Sequence, residues 1–502
     1  MSGLHVVWFR RDLRVHDNAA LAAALASGAP ILPLYVFEPG LWAQPEASRR
    51  QFDFLMESLT ELDEALTERG ARLIVRTGEM VEVLADLHRR HGLAAIHVQA
   101  DPGTGWARER DKAVQRWALH AGVSLREQAQ PGPANWDEVM ARPRHKAPDL
   151  IPAANVPSAP WPIAEDFGLR EDACPGRQTG GRAAGVELLR SFLAGRGRRY
   201  RQAQAGLAGI EESCSRLSPH LAFGTVSVRE AWQAAARART AFALDGDTTF
   251  ADSLDAFLDR LRWRGQSIEA FGHGALLTAP PDGLRPPAAD GDPRLEAWIA
   301  GRTGFPFIDA SLRALQATGW LPVRLRALLV GFAAWHLWMD WRRPAERLAG
   351  LFTDFEPGLH YSQVHRQAAL TGPGAPRIFN PVKQSQEMDP AGAFIRRWVP
   401  ELAALPAQYI HAPWEAPKAE LARAGVVFGQ TYPMRMLDHI ASAREARERV
   451  AALRQPGPSA RDLEMAGARA GVPRKRRSPN ARGRKPAAPL QLSFDLLLPP
   501  PA

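Results

Sequence analysis

Four short apolar runs alternate with helix-like stretches over the first 130 residues, and this alternation constrains the fold more than any other feature. The runs are rich in branched and aromatic side chains and cover Leu4–Phe9, Ile31–Phe37, Arg72–Arg76 and Ala94–Gln99. Continuous runs of this length are typical of strands buried on both faces of a parallel sheet. Between them, Phe54–Leu66 carries apolar residues at helical spacing. The alternation predicts a doubly wound α/β domain over residues 1–130.

The rest of the chain divides into three segments by composition. Residues 131–185 are rich in Pro, Ala and Gly without helical periodicity, which predicts an interdomain connector. Residues 186–450 show helical patterns separated by Pro and Gly turns, which predicts an all-α domain. Residues 451–502 are rich in Ala, Pro, Gly and Arg and end in an apolar peptide, so we expect a disordered basic tail.

Cysteine content and hydropathy exclude several classes of protein. The chain has two cysteines, Cys174 and Cys214, too few for a disulfide scaffold, a four-cysteine zinc site or an iron–sulfur cluster. Charged residues follow the first apolar run directly, which is not the pattern of a secretory signal. The sequence contains no run of 18 uncharged apolar residues, so we expect no membrane span. We expect a cytoplasmic, monomeric protein without a metal site.

The net charge indicates nucleic acid only weakly. The chain carries 63 Lys and Arg against 54 Asp and Glu, a formal charge of +9. Residues 451–502 hold ten of the basic residues and three of the acidic ones. Most of the basic excess therefore belongs to the tail, which predicts salt-sensitive, sequence-independent affinity for DNA.

Two arginines stand out in the segment that follows a Gly-Phe-Pro turn at residues 304–306. Asp309 is a plausible N-cap for the next helix, and the helix after that carries Arg324 and Arg326. Two residues apart on a helix, these side chains point about 200° apart. One can face a solvent groove while the other faces a pocket. Taken alone, a helical arginine is more often a solvated surface residue.

Three tryptophans at steps of three residues lie on one face of a helix if the helix is continuous. They are Trp335, Trp338 and Trp341, and an arc of about 120° would contain them. Such a stripe is more often core packing, and the alternative is a path for electron transfer through readily oxidised indoles.

Asp354, Glu356 and His360 follow in a segment that is too rich in Pro and Gly to predict a helix. A loop carboxylate at this point is commonly a helix cap. The functional alternative is an acid that pairs with a buried arginine next to a ligand.

Five motifs, in order along the chain, resemble those of the cryptochrome/DNA photolyase family, and the resemblance extends from residue 4 to about residue 415. The motifs are FRRDLRVHDN (Phe9–Asn18), SRLSPHLAFGTVS (Ser215–Ser227), TGFPFIDASLRALQATGWLPVRLRA (Thr303–Ala327), RIFNPVKQSQEMDP (Arg377–Pro390) and RRWVPEL (Arg396–Leu402). The order of an α/β domain, a connector and a helical domain matches the family's architecture.

The resemblance implies a non-covalently bound FAD inside the helical domain. It places an ion pair, Arg326 and Asp354, beside the flavin ring, Glu356 at the ring's edge and His360 opposite its reactive nitrogen. Arg326, Asp354 and His360 are therefore the implied catalytic residues. A histidine there either donates a hydrogen bond or titrates near neutral pH. The residues implied to contact the flavin's phosphates and ribose are Tyr200, Ser213, Ser215, Arg216, Leu217 and Ser218.

The implied activity is blue-light-driven repair of DNA by electron transfer from reduced flavin to a pyrimidine dimer flipped into a pocket. Arg264, Arg324 and Arg377 are the implied DNA contacts. Two alternatives remain open. One is a cryptochrome-type photoreceptor, and the other is a nucleic-acid-binding flavoprotein that does not repair.

Three departures from the family pattern affect this interpretation. Gly265 replaces the acid that contacts the lesion, and Val323 stands where photolyases commonly have a polar residue. Of the usual tryptophan chain only Trp341 matches, because Val364 and Ala288 occupy the other two positions. Electron transfer through Tyr361, Trp338 or Trp335 is the alternative path.

Two further sites are suggested, one in the α/β domain and one in the tail. The resemblance suggests a second, antenna chromophore whose identity is not assigned, because Ala107 stands where a folate-type pocket usually has Glu. Glu109 is a candidate substitute for that acid. Arg10 and Arg11 flank the site. In the tail, Gln491–Leu496 resembles the hexapeptide with which bacterial proteins bind the replication sliding clamp. The alternative is an apolar terminus that packs on the body.

Overall fold

The computed structural model describes residues 3–129, 132, 135–204, 206–272, 285, 289, 291–368 and 378–454. Within these ranges no helix is both long and apolar enough to cross a bilayer. The same residues contain no group of three or more His, Cys, Asp or Glu side chains positioned to hold a metal ion.

The N-terminal region forms a five-stranded, all-parallel sheet of order β3-β2-β1-β4-β5, which confirms the predicted doubly wound fold class. The strands are β1 Leu4–Trp8, β2 Ile31–Phe37, β3 Ile74–Thr77, β4 Leu93–Gln99 and β5 Ser124–Gln128. The connecting helices are α1 Ala19–Leu25, α2 Pro39–Trp42, α3 Arg49–Thr67, α4 Met80–His91 and α5 Gly105–Ala121. The apolar runs predicted four strands but not β5, a mostly exposed edge strand of sequence SLREQ.

The segment from residue 135 to residue 181 contains little regular structure. Its elements are the helix α6 Trp136–Ala141 and a 3₁₀ turn at Ala164–Phe167. The helical region begins at Arg182. Its helices are α7 Arg182–Ala194, α8 Tyr200–Ala203, α9 Ile210–Ser213, α10 Ser218–Ala222, α11 Val228–Leu244, α12 Thr248–Gly272, α13 Pro293–Ile299, α14 Pro306–Thr318, α15 Val323–Gly331, α16 Arg342–Leu351, α17 Pro357–Ala368, α18 Pro381–Met388, α19 Ala393–Trp398, α20 Ala407–Ile410, α21 Lys418–Arg423 and α22 His439–Arg454. Further 3₁₀ turns lie at Arg196–Arg199, Pro400–Leu402 and Pro413–Glu415.

The prediction that Asp309 caps its helix is wrong, because α14 begins three residues earlier at Pro306. Proline suits the first turn of a helix, where its missing N–H has no partner to lose. Asp309 is fully buried instead, and its carboxylate accepts hydrogen bonds from the amides of Thr303 and Gly304 and from the hydroxyl of Tyr432.

The three tryptophans do not share one helical face, which corrects that prediction. A π-helical turn at Phe332–His336 follows α15 and ends the regular helix, and Trp338 has a left-handed φ of 54°. Trp335 and Trp338 pack together with ring centroids 6.2 Å apart. Trp341 instead faces Tyr361, at 6.4 Å.

His360 lies on a helix, contrary to the loop that the Pro and Gly content predicts. Pro357 begins α17, and Gly358 packs against α12 so closely that an added Cβ would lie 2.8 Å from the Cα of Ile268. Pro and Gly therefore serve the start and the packing of this helix. As a result Glu356 and His360 are held at the N-terminal end of α17, next to α12.

Contacts from the α/β domain hold the segment that precedes α17. The guanidinium of Arg11, just after β1, donates to the carbonyl of Phe355 at 3.0 Å. The side-chain amide of Gln51 on α3 donates to the carbonyls of Ala349 and Phe352, at 3.0 and 3.1 Å. These bonds connect the sheet domain to the residues around Asp354 and Glu356.

Candidate functional site

A cavity of about 430 Å³ opens in the helical region. Its walls come from α8, the turn before α10, α12, α15, α17 and α18. The volume lies within the roughly 300–1,000 Å³ that small-molecule and cofactor sites occupy. Most of the residues implied to bind the flavin line this one cavity, although they are spread over 160 residues of the chain from Tyr200 to His360.

The ion pair predicted from the resemblance is formed at the wall of this cavity. Nη2 of Arg326 donates to Oδ2 of Asp354 at 2.6 Å, and the two side chains are 17% and 2% exposed. Arg326 also donates from Nε to the carbonyl of Leu321 at 2.9 Å and lies 4.0 Å from the ring centroid of Phe352. The other oxygen of Asp354, Oδ1, is buried and has no partner within the described residues.

His360 lines the cavity as a neutral imidazole. Burial lowers its pKa to about 4, and Nε2 lies 2.9 Å from the carbonyl oxygen of Ala345. Because that carbonyl accepts only, Nε2 carries the hydrogen and Nδ1 is left as an acceptor. The predictions that His360 donates a hydrogen bond to the ligand or titrates near neutral pH are therefore wrong for this arrangement.

Glu356 forms a second buried ion pair beside the first. Its Oε2 accepts from Nη2 of Arg264 at 2.7 Å, and Oε1 lies 3.9 Å from Nη1 of Arg11. Burial raises the pKa of Glu356, while the two arginines act in the opposite direction.

The Arg264 guanidinium is only 14% exposed and also donates to the carbonyl of Leu221. The charge of Arg264 is thus paired inside the wall of the cavity that it lines, and its contact with DNA stays a prediction. Arg264 holds Glu356 in place, together with Arg11 from the sheet domain.

The turn before α10 contributes Ser215, Arg216, Leu217 and Ser218 to the lining, together with Tyr200 from α8. The hydroxyl oxygen of Ser218 is buried and has no partner within the described ranges. Ser213 ends α9 and is not among the lining residues, so its predicted contact is not supported by its position.

Two half-buried tryptophans with stacked arginines line the same cavity. Arg260 lies 5.2 Å from the ring of Trp263, and Arg216 lies 4.2 Å from the ring of Trp320. Arg324 also lines the cavity, so both arginines of α15 face it rather than opposite sides. Burial lowers the pKa of Arg324, with Glu387 acting in the opposite direction.

The residues missed from the sequence include Arg260, Trp320, Gln363, Gln384 and Glu387, all in the cavity lining. Trp320 follows Gly319 within the motif Thr303–Ala327, and this place in the motif is the sequence signal that could have identified it as a site residue. No periodic pattern distinguishes the two glutamines from surface residues.

A smaller cavity of about 110 Å³ lies where the sheet domain meets Phe223, Phe355 and Pro357 of the helical region, and its lining includes Arg10, Arg11 and Ala107. Glu109 is not in that lining and pairs with Lys112 at 2.8 Å on the surface, so the prediction that it substitutes for the antenna acid is wrong. Three acids line this cavity, Glu38, Glu46 and Asp101, and Glu38 pairs with Arg110 at 2.8 Å. The volume is below the range typical of cofactor sites, and a second chromophore stays a prediction.

Three predicted features lie outside the described residues. They are the DNA contact Arg377, the tryptophan-chain position Ala288 and the peptide Gln491–Leu496.

The residues at the large cavity fit an FAD. Two buried oxygens, Oδ1 of Asp354 and the hydroxyl of Ser218, lack partners that a polar ligand would supply. The lining combines apolar walls with a few convergent polar groups, as cofactor sites do.

Comparison with known proteins agrees with this geometry. Residues 257–452 match the family model described as the FAD binding domain of DNA photolyase, and residues 5–149 match the DNA photolyase model. A deoxyribodipyrimidine photo-lyase of Streptomyces griseus is 32% identical over 89% of this chain and 99% of its own. A cryptochrome DASH of Natronomonas pharaonis is 29% identical over 86% and 98%.

A solved structure shares the architecture over nearly the whole chain. The bacterial class III photolyase from Agrobacterium tumefaciens superimposes with a TM-score of 0.75 at 26% identity, covering 91% of this chain and 98% of its own. Its fold agrees with the parallel sheet followed by the helical region. The chain therefore belongs to the cryptochrome/DNA photolyase family and carries the FAD-binding domain of that family.

Proposed function

We propose that the protein is an FAD-dependent, blue-light-driven lyase that splits pyrimidine dimers in DNA. The observation that carries the proposal is a single cavity that combines a buried ion pair, Arg326 and Asp354, with the aromatic and cationic side chains of Trp263, Trp320 and Arg324. The first group is suited to hold a flavin, and the second is suited to receive flipped bases by stacking and by pairing with phosphate.

FAD, when bound and reduced, supplies the electron on absorbing blue light. The protein's contribution is positioning and electrostatics. Arg326 and Asp354 orient each other, and Asp354 Oδ1 remains to accept a hydrogen bond from the ligand. The Phe352 ring covers one side of the Arg326 guanidinium, at 4.0 Å from the ring centroid. A preorganised, largely buried pair of this kind strengthens each polar contact with the cofactor.

Arg264 and Arg11 keep Glu356 in a defined position, and His360 keeps its proton on Nε2 through the Ala345 carbonyl. Trp263 and Trp320, both half-buried in the lining, offer aromatic faces for unstacked bases. Such stacking contributes about 1–3 kcal/mol per base in other proteins. Damaged, poorly stacked bases leave the duplex at lower cost, which favours the lesion over intact DNA.

A cryptochrome-type photoreceptor is the second candidate function, and two residues at the implied lesion-binding positions favour it. Gly265 and Val323 place no polar group where repair enzymes of the family have one, and Val323 lies in the cavity lining. A receptor would show flavin photoreduction with a change in partner binding and no restoration of thymine.

The deciding experiment uses FAD-loaded, chemically reduced protein with dimer-containing DNA, single- and double-stranded, under blue light. Restored thymine is expected in the light and not in the dark. A Trp263→Ala variant is expected to bind FAD normally and repair less, while Tyr409→Phe, a substitution outside the cavity lining, serves as the matched control. If strong reduction and illumination restore no thymine on either substrate, the lyase proposal is wrong.

The sliding-clamp contact through Gln491–Leu496 is a separate hypothesis that rests on the peptide's sequence. Substituting Leu492 and Phe494 by alanine should abolish clamp binding by the full chain while repair of naked DNA is unchanged. Equal binding by the substituted chain would contradict it. A cytoplasmic, monomeric state likewise remains a prediction, testable by fractionation and by light scattering.

A further inference from the structure

Tyr361 forms a buried hydrogen bond to a carboxylate from the other domain. Its hydroxyl donates to Oε1 of Glu46, which lies in the loop between α2 and α3. The two residues are 6% and 9% exposed. Burial raises the pKa of the Tyr361 phenol, and the negative charge of Glu46 raises it further. The phenol therefore keeps its proton at physiological pH while holding it directly against a base.

The loop that carries Glu46 is held rigidly against the helical region. The backbone carbonyl of Glu46 accepts from the Gln51 side chain at 3.1 Å, and the same amide donates to the carbonyls of Ala349 and Phe352. The carboxylate is thereby fixed relative to α16 and α17. A fixed donor–acceptor pair is a requirement for proton transfer within one hydrogen bond.

The Tyr361 ring also connects the flavin cavity to Trp341. On one side its centroid lies 5.2 Å from that of His360 and 6.2 Å from that of Phe355, and both of these residues line the cavity. On the other side Trp341 lies at 6.4 Å. Trp335 and Trp338 form a separate pair, with their ring planes tilted by 60°. Trp341 also contacts His365, with centroids 6.1 Å apart, and His365 does not line the cavity. Within the described residues, the aromatic contacts of Trp341 therefore lead to the cavity through Tyr361.

Oxidising a phenol differs from oxidising an indole because the phenol must lose its proton to become a stable neutral radical. A hydrogen-bonded carboxylate can take that proton as the electron leaves. Val364, at the position where the family's flavin-proximal tryptophan is expected, is aliphatic and cannot be oxidised in this way. Tyr361, three residues earlier on the same helix, has both the aromatic contacts and the base.

We propose that Tyr361 is the electron donor to the light-excited, oxidised flavin ring and that Glu46 is its proton acceptor. The O–H bond of Tyr361 breaks, and the proton forms a new O–H bond on Glu46 Oε1. One electron leaves the phenol for the flavin ring, so a tyrosyl radical and a neutral carboxylic acid remain and the total charge is unchanged. The proposal rests on the flavin photochemistry proposed above and assigns its donor.

The chain provides a matched control in Tyr432. Its hydroxyl donates to Oδ2 of Asp309 at 2.6 Å, and both residues are buried, so Tyr432 forms the same kind of tyrosine–carboxylate bond. Neither tyrosine lines the cavity, but the Tyr361 ring contacts the lining residues His360 and Phe355. Among the described residues no aromatic ring contact joins Tyr432 to the lining. A purely structural role for such bonds would affect both tyrosines alike, whereas a redox role would affect only Tyr361.

The experiment illuminates FAD-loaded protein with oxidised flavin and an external thiol, and compares wild type with Tyr361→Phe, Glu46→Gln and Tyr432→Phe. The readouts are the rate of flavin reduction and the electron paramagnetic resonance signal of a neutral tyrosyl radical, identified by tyrosine deuteration. Wild type and Tyr432→Phe should show both. Tyr361→Phe should lose the radical signal. Glu46→Gln keeps an acceptor oxygen for the hydroxyl but not the base, and should slow reduction by about a hundredfold, the size of a general-base contribution.

Wild-type rates and radical yield in Tyr361→Phe would overturn the proposal, as would an unchanged rate in Glu46→Gln. FAD content and circular dichroism are measured for each variant, and Glu46→Gln, which preserves the hydrogen bond, decides the matter if Tyr361→Phe is unstable. Repair by chemically reduced protein is assayed in parallel, because it does not need the donor. Repair without a tyrosyl radical would contradict only the donor assignment, and a radical without repair would contradict only the lyase.

Discussion

Replacing Asp354 by asparagine tests the proposal that its buried ion pair with Arg326 holds the flavin. The substitution keeps the shape of the side chain and removes its charge. Arg326 would then be left 17% exposed, with the Leu321 carbonyl and the Phe352 ring as its remaining neighbours. A buried cation without its counter-ion is unfavourable because protein solvates it less well than water does.

The size of the effect follows from these contacts. Breaking a buried pair by removing one partner costs about 3–5 kcal/mol. Arg326 keeps one carbonyl at 2.9 Å and one ring at 4.0 Å, so we expect about 3 kcal/mol, the lower end of that range. Arg326→Met removes the cation as well. The double variant should therefore be less destabilised than the sum of the two, with a coupling of about 2 kcal/mol.

The assay is urea unfolding of FAD-free and FAD-loaded protein, followed by circular dichroism and by flavin release, with the slope checked for constancy. Glu38→Gln is the matched control, because Glu38 and Arg110 form a pair of similar burial, 2% and 10% exposed, in the sheet domain. Both single variants should lose stability, but only Asp354→Asn should lose FAD affinity as well.

A loss below about 1 kcal/mol for Asp354→Asn, together with additive effects in the double variant, would contradict a strong coupling between Arg326 and Asp354. It would mean that the pair is effectively solvated. Equal loss of FAD affinity in Glu38→Gln would show that general destabilisation, not the ion pair, explains the binding defect.

Three further predictions concern pH, packing and charge. The pKa of His360 is about 4 in the folded protein and 6.5 unperturbed, so the stability that its neutral form contributes is complete above pH 6.5 and is lost as the pH falls toward 4. His360→Gln should reduce this acid sensitivity of the unfolding free energy, measured by urea titration at several pH values. An unchanged pH profile would contradict this prediction. Gly358→Ala places a methyl group 2.8 Å from Ile268 Cα, and should cost about 1–3 kcal/mol of unfolding free energy and loosen FAD binding, as equilibrium dialysis would measure. Deleting residues 455–502 should weaken binding to undamaged DNA and flatten its dependence on salt, while discrimination of the lesion stays the same; an unchanged salt slope would show that the tail makes no phosphate contacts.

Sequence reasoning located the parallel sheet because buried strands produce continuous apolar runs. It missed β5 because an exposed edge strand such as Ser124–Gln128 has no such run. It also predicted a loop at residues 354–360, since Pro and Gly normally interrupt helices. There Pro357 begins α17, and Gly358 permits close contact with α12.

The candidate site divides in the same way. The motifs of the family pointed to Arg326, Asp354, Glu356 and His360, and the structure brings these four residues to one cavity. The partners of Glu356 and His360 could not be read from the chain. Arg264 pairs with Glu356 across 92 residues, and the carbonyl that holds His360 belongs to Ala345. Contacts of this kind depend on how helices pack, and local sequence carries little trace of them.

The sequence alone predicted the order of the two domains, the family, and the pairing of Arg326 with Asp354, because these depend on local periodicity and on motifs contiguous in the chain. Only the tertiary structure decided the protonation of His360, the separation of Trp341 from Trp335 and Trp338, and the bond between Tyr361 and Glu46. The last of these joins residues 315 positions apart in two domains. Burial and long-range packing set these properties, and both arise only when the two domains fold against each other.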